Sequence, residues 1–174
     1  MNNGKKVLII GLTLLTGFTY SAGAVTKDMK KVVDEALEFS VKQSMSMFNE
    51  MKDQKGILPR TAKDGKMITC ESAWWTSGFY PGSLWYCYEY SNDPQVRAAA
   101  EEMTSRVEKQ KYTTSNHDVG FIINCSFGNG YRLTHNETYR EVIETAAKSV
   151  YPFSSGDGMH PFLEQQKMAI LCYH

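Results

Sequence analysis

No cysteine pair in this chain has the spacing of a chelating motif. Cys70, Cys87, Cys125 and Cys172 stand far apart with no C-x-x-C among them, which argues against a cysteine-bound metal. In an exported protein the four could form two disulfides, but the spacing names no pairing. Net charge is missing too, since 19 Lys and Arg balance 19 Asp and Glu. No basic cluster alternates with aromatics in the way a nucleic-acid groove requires, so nucleic acid is excluded as a partner. Convincing strand patterns are absent as well. The apolar run from Val7 to about Tyr20 is too short, and too rich in Gly and Thr, to favour a membrane-spanning helix.

What is present begins with a leader. Lys5 and Lys6 precede that run, and Ala22-Gly23-Ala24 follows it in a form suited to peptidase cleavage before Val25. Residues 1–24 therefore read as a secretory signal peptide, which predicts a secreted or periplasmic protein with no membrane attachment after cleavage. The remainder suffices for one modest domain. Asn124-Cys125-Ser126 and Asn136-Glu137-Thr138 match the glycosylation pattern, a triplet that is often incidental.

Hydrophobic spacing predicts helices. Met29, Val32, Val33, Ala36, Leu37, Val41, Met45, Phe48 and Met51 recur every three or four residues, so about 27–53 should form one long helix with a buried face. Gly56 to Met67 is polar, contains Pro59 and Asp64-Gly65, and reads as a loop. Asn92-Asp93-Pro94 should end one helix and start another whose buried face is Val96, Ala99, Ala100, Met103 and Val107. A further helix should start near Asp118 and run towards Phe127, until Gly128-Asn129-Gly130 breaks it. Thr134 with Glu137 reads as a capping box for the next helix, whose apolar side is Val142, Ile143, Ala146 and Ala147. Helices alternating with loops make an all-α architecture of helical hairpins the expected fold.

Eight of the 17 residues from Trp74 to Tyr90 are aromatic, and they include every tryptophan. Trp74 to Gly82 reads as an aromatic loop and Ser83 to Tyr90 as the buried helix behind it. Rings at this density either fill a core or form a platform for sugars, whose C–H faces stack on rings while their hydroxyls seek polar groups. Core filling is the commoner use.

His117-Asp118 follows a polar loop and precedes Val119-Gly120-Phe121, which puts Asp118 at or near a helix start. A carboxylate there meets unpaired N–H groups and the positive end of the helix dipole. It either caps the helix or serves chemistry. His117 alone carries no assignment.

Together, W-T-S-G-F-Y-P-G-S-L-W-Y-C-Y-E-Y at 75–90, H-D-V-G-F at 117–121 and Tyr131-Arg132-Leu133-Thr134 resemble the unsaturated glucuronyl hydrolases of glycoside hydrolase family 88, over about residues 30–149. The resemblance implies that residues 25–149 are the N-terminal portion of an (α/α)6 barrel, with six hairpins in the whole. It implies a hydrolase that removes a 4,5-unsaturated uronic acid from lyase-generated oligosaccharides of glycosaminoglycan type. The C4=C5 bond is protonated and hydrated, and the resulting hemiketal falls apart, unlike a two-carboxylate displacement at the anomeric carbon. No metal or organic cofactor is implied. Asp118 matches the family's first essential aspartate, while His117 and Trp75 match substrate-binding positions. Alternatives are an unsaturated rhamnogalacturonyl hydrolase on the same barrel and a non-catalytic sugar-binding or helical interaction domain.

The pattern departs from the family after Ser149. The second aspartate, the general acid/base, belongs downstream in a motif close to I-I-D that this chain lacks, and Asp157 matches nothing in the family. Shifting the codons of Met159 to His174 by one base permits C-I-R-S-W-N-N-K-K-W-Q-Y-C-V-I-I, with the first Cys and the second Trp forced by the genetic code. The expectation is that residues 150–174 are an out-of-frame tail and the chain a truncated, inactive product, to be checked in the gene.

Overall fold

The computed structural model describes residues 27–150, so the expected leader 1–24 and most of the expected tail 150–174 lie outside the described residues. Helix α1 spans Lys27–Met51, strands β1 and β2 span Ile57–Lys63 and Lys66–Glu71, and helices α2 and α3 span Phe79–Ser91 and Pro94–Ser105. A 3-10 turn at Glu108–Tyr112 leads to α4 at Val119–Ile123, which continues through a π turn at Asn124–Gly128 into α5 at Asn129–Thr134. Helix α6 spans Glu137–Val150.

The all-α expectation holds except for the hairpin. β1 and β2 pair antiparallel where the sequence reads as a loop, closed by Asp64 and Gly65 with φ of 51° and 71°. Two consecutive positive φ values are the signature of the tight hairpin turn that Asp-Gly favours. The strands escaped notice because Leu58 is their one fully buried residue, so no apolar alternation marks them. The register slips between Pro59 and Thr61, leaving Arg60 as an unpaired bulge residue.

Caps set most boundaries. Asn92 ends α2 in the left-handed region, and the Asp93 carboxylate accepts from the Gln95 N–H at 2.8 Å to start α3 with Pro94 in its first turn. Two other expectations are corrected. Gly128-Asn129-Gly130 does not break its helix, because the π turn absorbs the extra residue and the helical run continues to Thr134. Nor does Thr134 cap α6. Its hydroxyl turns back to Gly130 O, His135 adopts φ 51°, and Asn136 Oδ1 accepts from Thr138 N at 3.0 Å.

Two apolar clusters hold the elements together. Met51, Tyr80, Leu84, Trp85, Ala99, Ala100 and Met103 join α1, α2 and α3, while Leu58, Val107, Val119, Ile122, Phe127, Val142 and Ile143 join β1, α4 and α6. Trp85 is fully buried and its indole donates to Thr104 Oγ1 at 2.9 Å, while the Tyr80 hydroxyl donates to Ser44 O at 2.7 Å. Tyr139 stands between the clusters, packed on both, with its ring edge-on to Trp85 and Phe127. The buried face expected for α1 is present only in its C-terminal half. Met29, Val32, Val33 and Phe39 are exposed among the described residues. Tyr86 is exposed rather than packed, lying beneath the Arg132 guanidinium, which in turn grips both oxygens of Glu89.

Candidate functional site

Trp75 sits in the loop between β2 and α2, and that loop is fastened from within. Trp74 N donates to Glu71 O, Ser77 N to Trp74 O and Phe79 N to Thr76 O, all at about 3.0 Å. The Ser77 hydroxyl donates to Ser72 O at 2.7 Å, and Gln110 Nε2 donates to the Ser72 hydroxyl at 2.8 Å. Ser72, Ser77 and Gln110 are all buried, so each of these bonds is shielded from water.

Glycines then bring α2 against α4. A Cβ on Gly78 would overlap the Ile122 carbonyl, and one on Gly82 would lie 2.6 Å from Cys125 O. Side chains at these two positions would hold the helices apart. The close approach stacks Trp75 edge-on to Phe79, with centroids 5.7 Å apart, and to Phe121 at 6.4 Å, while Phe79 meets Phe121 at 6.2 Å. Trp75 nevertheless stays 43% exposed and Phe79 38% exposed. These rings therefore offer apolar faces to solvent instead of disappearing into a core.

Asp118 occupies the N-cap position of α4, but its carboxylate makes no capping bond. Asn116 performs the local turn instead, its Oδ1 accepting from Asp118 N at 2.9 Å. One carboxylate oxygen of Asp118 lies 3.3 Å from His117 Nε2. The Asp118 side chain is 24% exposed and that of His117 is 61% exposed. Phe121 follows Asp118 by three residues, close to one helical turn, and is the ring that meets Trp75. Phe121 is thus near Asp118 in the chain and against Trp75 in space. Of the two roles open to Asp118, helix capping is not the one its side chain performs.

Phe79, Phe121 and Asn116 were not singled out from sequence. Asn116, two residues before Asp118, carries a readable turn signal, whereas the pairing of Phe79 with Phe121 depends on helix packing alone. The thiols of Cys70, Cys87 and Cys125 are free, and burial pushes those of Cys70 and Cys125 above their ordinary range, which makes them poor nucleophiles. Among the described residues no three His, Cys, Asp or Glu side chains gather as a metal site, and no helix is long and apolar enough to cross a membrane.

No family model matches the chain. An unsaturated glucuronyl hydrolase of Formosa agariphila is 42% identical over 77 residues, covering 44% of this chain and 19% of that protein. An unsaturated chondroitin disaccharide hydrolase of Streptococcus pyogenes is 28% identical over 120 residues, covering 66% and 29%. A solved unsaturated glucuronyl hydrolase specific for heparin superposes with a TM-score of 0.61 at 32% identity, over 71% of this chain and 34% of its own. The enzyme from Streptococcus agalactiae, at 21% identity and TM-score 0.57 over 68% and 31%, shares the fold. One variant of it is complexed with dGlcA-GalNAc6S.

The fold defines a class: the described residues form part of an (α/α)6 barrel like those of the solved relatives. Within that class the matched residues are similar to those of proteins named unsaturated glucuronyl hydrolase. The chain spans 19–29% of the length of the first three curated relatives it matches.

Proposed function

We propose that the exposed rings of Trp75 and its neighbours, with His117 and Asp118, form the wall of a pocket for a 4,5-unsaturated uronic acid at the end of a lyase-generated oligosaccharide. The observation that carries this reading is the Asp118 carboxylate, left uncapped at a helix start one turn from a ring that touches Trp75. Trp75 supplies an apolar face to the sugar ring, and His117 supplies a polar partner beside it. Asp118 positions the water or the sugar for hydration of the C4=C5 bond. The basic start and apolar run of residues 5–20 support export of the protein to the periplasm or beyond.

Protonating the double bond needs a second acid. No aspartate occurs between Asp118 and Val150. General acid catalysis is worth about 10²–10⁴-fold, so residues 27–150 by themselves are proposed to bind the unsaturated sugar with little or no turnover.

Incubating the purified chain with lyase-generated unsaturated disaccharides, and following both binding and the ultraviolet absorbance of the enol ether, tests this directly. Binding that Trp75→Ala removes, with absorbance unchanged, is the expected result. Rapid loss of absorbance that Asp118→Asn abolishes would show a complete catalytic set and overturn the inactive reading. Absence of any binding would overturn the assignment of the site.

A further inference from the structure

Asn and Asp side chains are used in the same way at three helix starts. Asp93 accepts from Gln95 N at 2.8 Å ahead of α3, Asn136 from Thr138 N at 3.0 Å ahead of α6, and Asn116 from Asp118 N at 2.9 Å ahead of α4. In the first two cases the helix begins at the next residue, Pro94 or Glu137. Asn116 is a cap of that form, yet α4 begins only at Val119. The backbone between them is already turned like a helix. Asp118 has φ −67° and ψ −9°, Gly120 N donates to His117 O at 3.3 Å, and Ile122 N donates to Asp118 O at 3.0 Å.

Asp118 therefore lies inside the first turn of the helical run, behind the cap. Asp93 shows what this changes. With ψ 121° it has the extended backbone of a capping residue, and its carboxylate folds over to the N–H of Gln95, two residues on. The N–H two residues after Asp118 belongs to Gly120 and is taken by His117 O instead. The Asp118 carboxylate makes no capping bond, and one of its oxygens lies 3.3 Å from His117 Nε2. Both residues are aspartates at a helix start, and Asp ranks with Asn among the strongest caps.

We infer that Asn116 is a positioning residue for Asp118: by capping the helical run itself, it keeps the Asp118 backbone helical and its carboxylate off the helix N–H groups, beside His117. Without the Asn116 side chain the run begins two residues later, and Asp118 caps it as Asp93 caps α3. The inference rests on the proposed role of Asp118 at the uronate site, and its first test is independent of any sugar.

That test is chemical denaturation of the 174-residue chain with Asn116→Ala, Asp118→Ala and both together. Asp118→Ala should lower the denaturation midpoint more in the Asn116→Ala chain than in the unaltered one, because only there is Asp118 a cap. Equal effects overturn the inference. Asn116→Gly, a milder change at a helix start, gives the same comparison where the alanine variant does not fold. Titration calorimetry with a lyase-generated unsaturated disaccharide then reads the consequence for the site. Asn116→Ala should bind about tenfold more weakly, as for one lost charge-assisted contact, and Asp118→Asn should add nothing further in that chain. Asn116→Ser should restore affinity, because a hydroxyl also caps. Additive losses, or no rescue by serine, would reduce Asn116 to a structural cap and overturn its positioning role. If the unaltered chain binds no disaccharide, the uronate reading falls, and the denaturation comparison still decides whether Asn116 holds Asp118.

Discussion

Gln110 Nε2 donates to Ser72 Oγ at 2.8 Å, joining two buried residues 38 positions apart. Ser72 O in turn accepts from the Ser77 hydroxyl, and Gln110 Oε1 accepts from Thr113 Oγ1 at 2.9 Å. One amide therefore fastens the loop that carries Trp75 to the segment that leads into His117 and Asp118. Gln110→Leu leaves buried hydroxyls without partners, at about 1–3 kcal/mol. The expected outcome is a lower melting temperature together with a weakened near-ultraviolet signal from a loosened Trp loop. An unchanged tryptophan environment would remove Gln110 from this positioning role.

Gly78 and Gly82 set the distance between α2 and the helical run that begins with α4. Gly78→Ala forces a methyl into the Ile122 carbonyl, where backbone rather than a flexible side chain must give way. Overpacking of this kind costs about 1–3 kcal/mol or more. Gly82→Ala, with 2.6 Å to Cys125 O, should cost a comparable amount, whereas Ser83→Ala on the exposed side of the same helix should cost little. Chemical denaturation of the three variants ranks them.

Arg106 closes the end of α1. Its guanidinium, 5% exposed, donates to Lys52 O, Gln54 O and Ile57 O at 2.9–3.1 Å and pairs with Glu102. Lys52 and Gln54 follow the end of α1, where carbonyls have no partner inside the helix, and Ile57 opens β1. Arg106→Met should lower stability by about 3 kcal/mol, since each hydrogen bond to a charge is worth roughly 1.5–3 kcal/mol and the gains overlap. Arg106→Lys should recover only part of the loss, because a single ammonium cannot span the fork. Equilibrium unfolding measures both.

Burial pushes the Tyr139 hydroxyl up to about 12, and burial likewise raises that of Tyr80. In the unfolded chain both ionise near 10. Above that pH the unfolded state has released protons that the folded state still holds, so stability falls as pH rises from about 10 towards 12. Melting curves at pH 9, 10 and 11 should show this decline, and Tyr139→Phe should flatten it.

Val32, Val33 and Phe39 are exposed apolar residues on α1. Val32→Lys and Phe39→Lys should change stability by no more than about 0.5 kcal/mol and raise solubility. A larger destabilisation by calorimetry would show that these side chains are covered in solution.

Helices with one-sided apolar patterns or clear caps were legible in the chain. Asp93-Pro94 marks the start of α3, and Val96, Ala99, Ala100, Met103 and Val107 are buried as their spacing requires. The hairpin was not legible, because strands that bury only Leu58 fully lack alternation and only Asp64-Gly65 signals them. The π turn at 124–128 was equally silent, since it keeps a helical path through two glycines that read as a break. At the site, Trp75, His117 and Asp118 stand out through the strings that contain them. The meeting of Phe79 with Phe121 and of Gln110 with Ser72 does not, because these partners are far apart in sequence.

The chain by itself determined the helical class, the cap at Asp93, the family resemblance and the concentration of rings between Trp74 and Tyr90, all of which follow from local spacing and residue type. Tertiary structure decided which rings are core and which are surface: Trp85 is enclosed by three helices, while Trp75 stays open on a cluster shared with Phe79 and Phe121. It also decided that Asn116, and not Asp118, satisfies the local turn, leaving the Asp118 carboxylate beside His117 with no capping bond. The physical reason is range. Periodicity and capping act over one helical turn, whereas exposure and pairing depend on two backbones meeting at Gly78 and Ile122, a contact that no local pattern encodes.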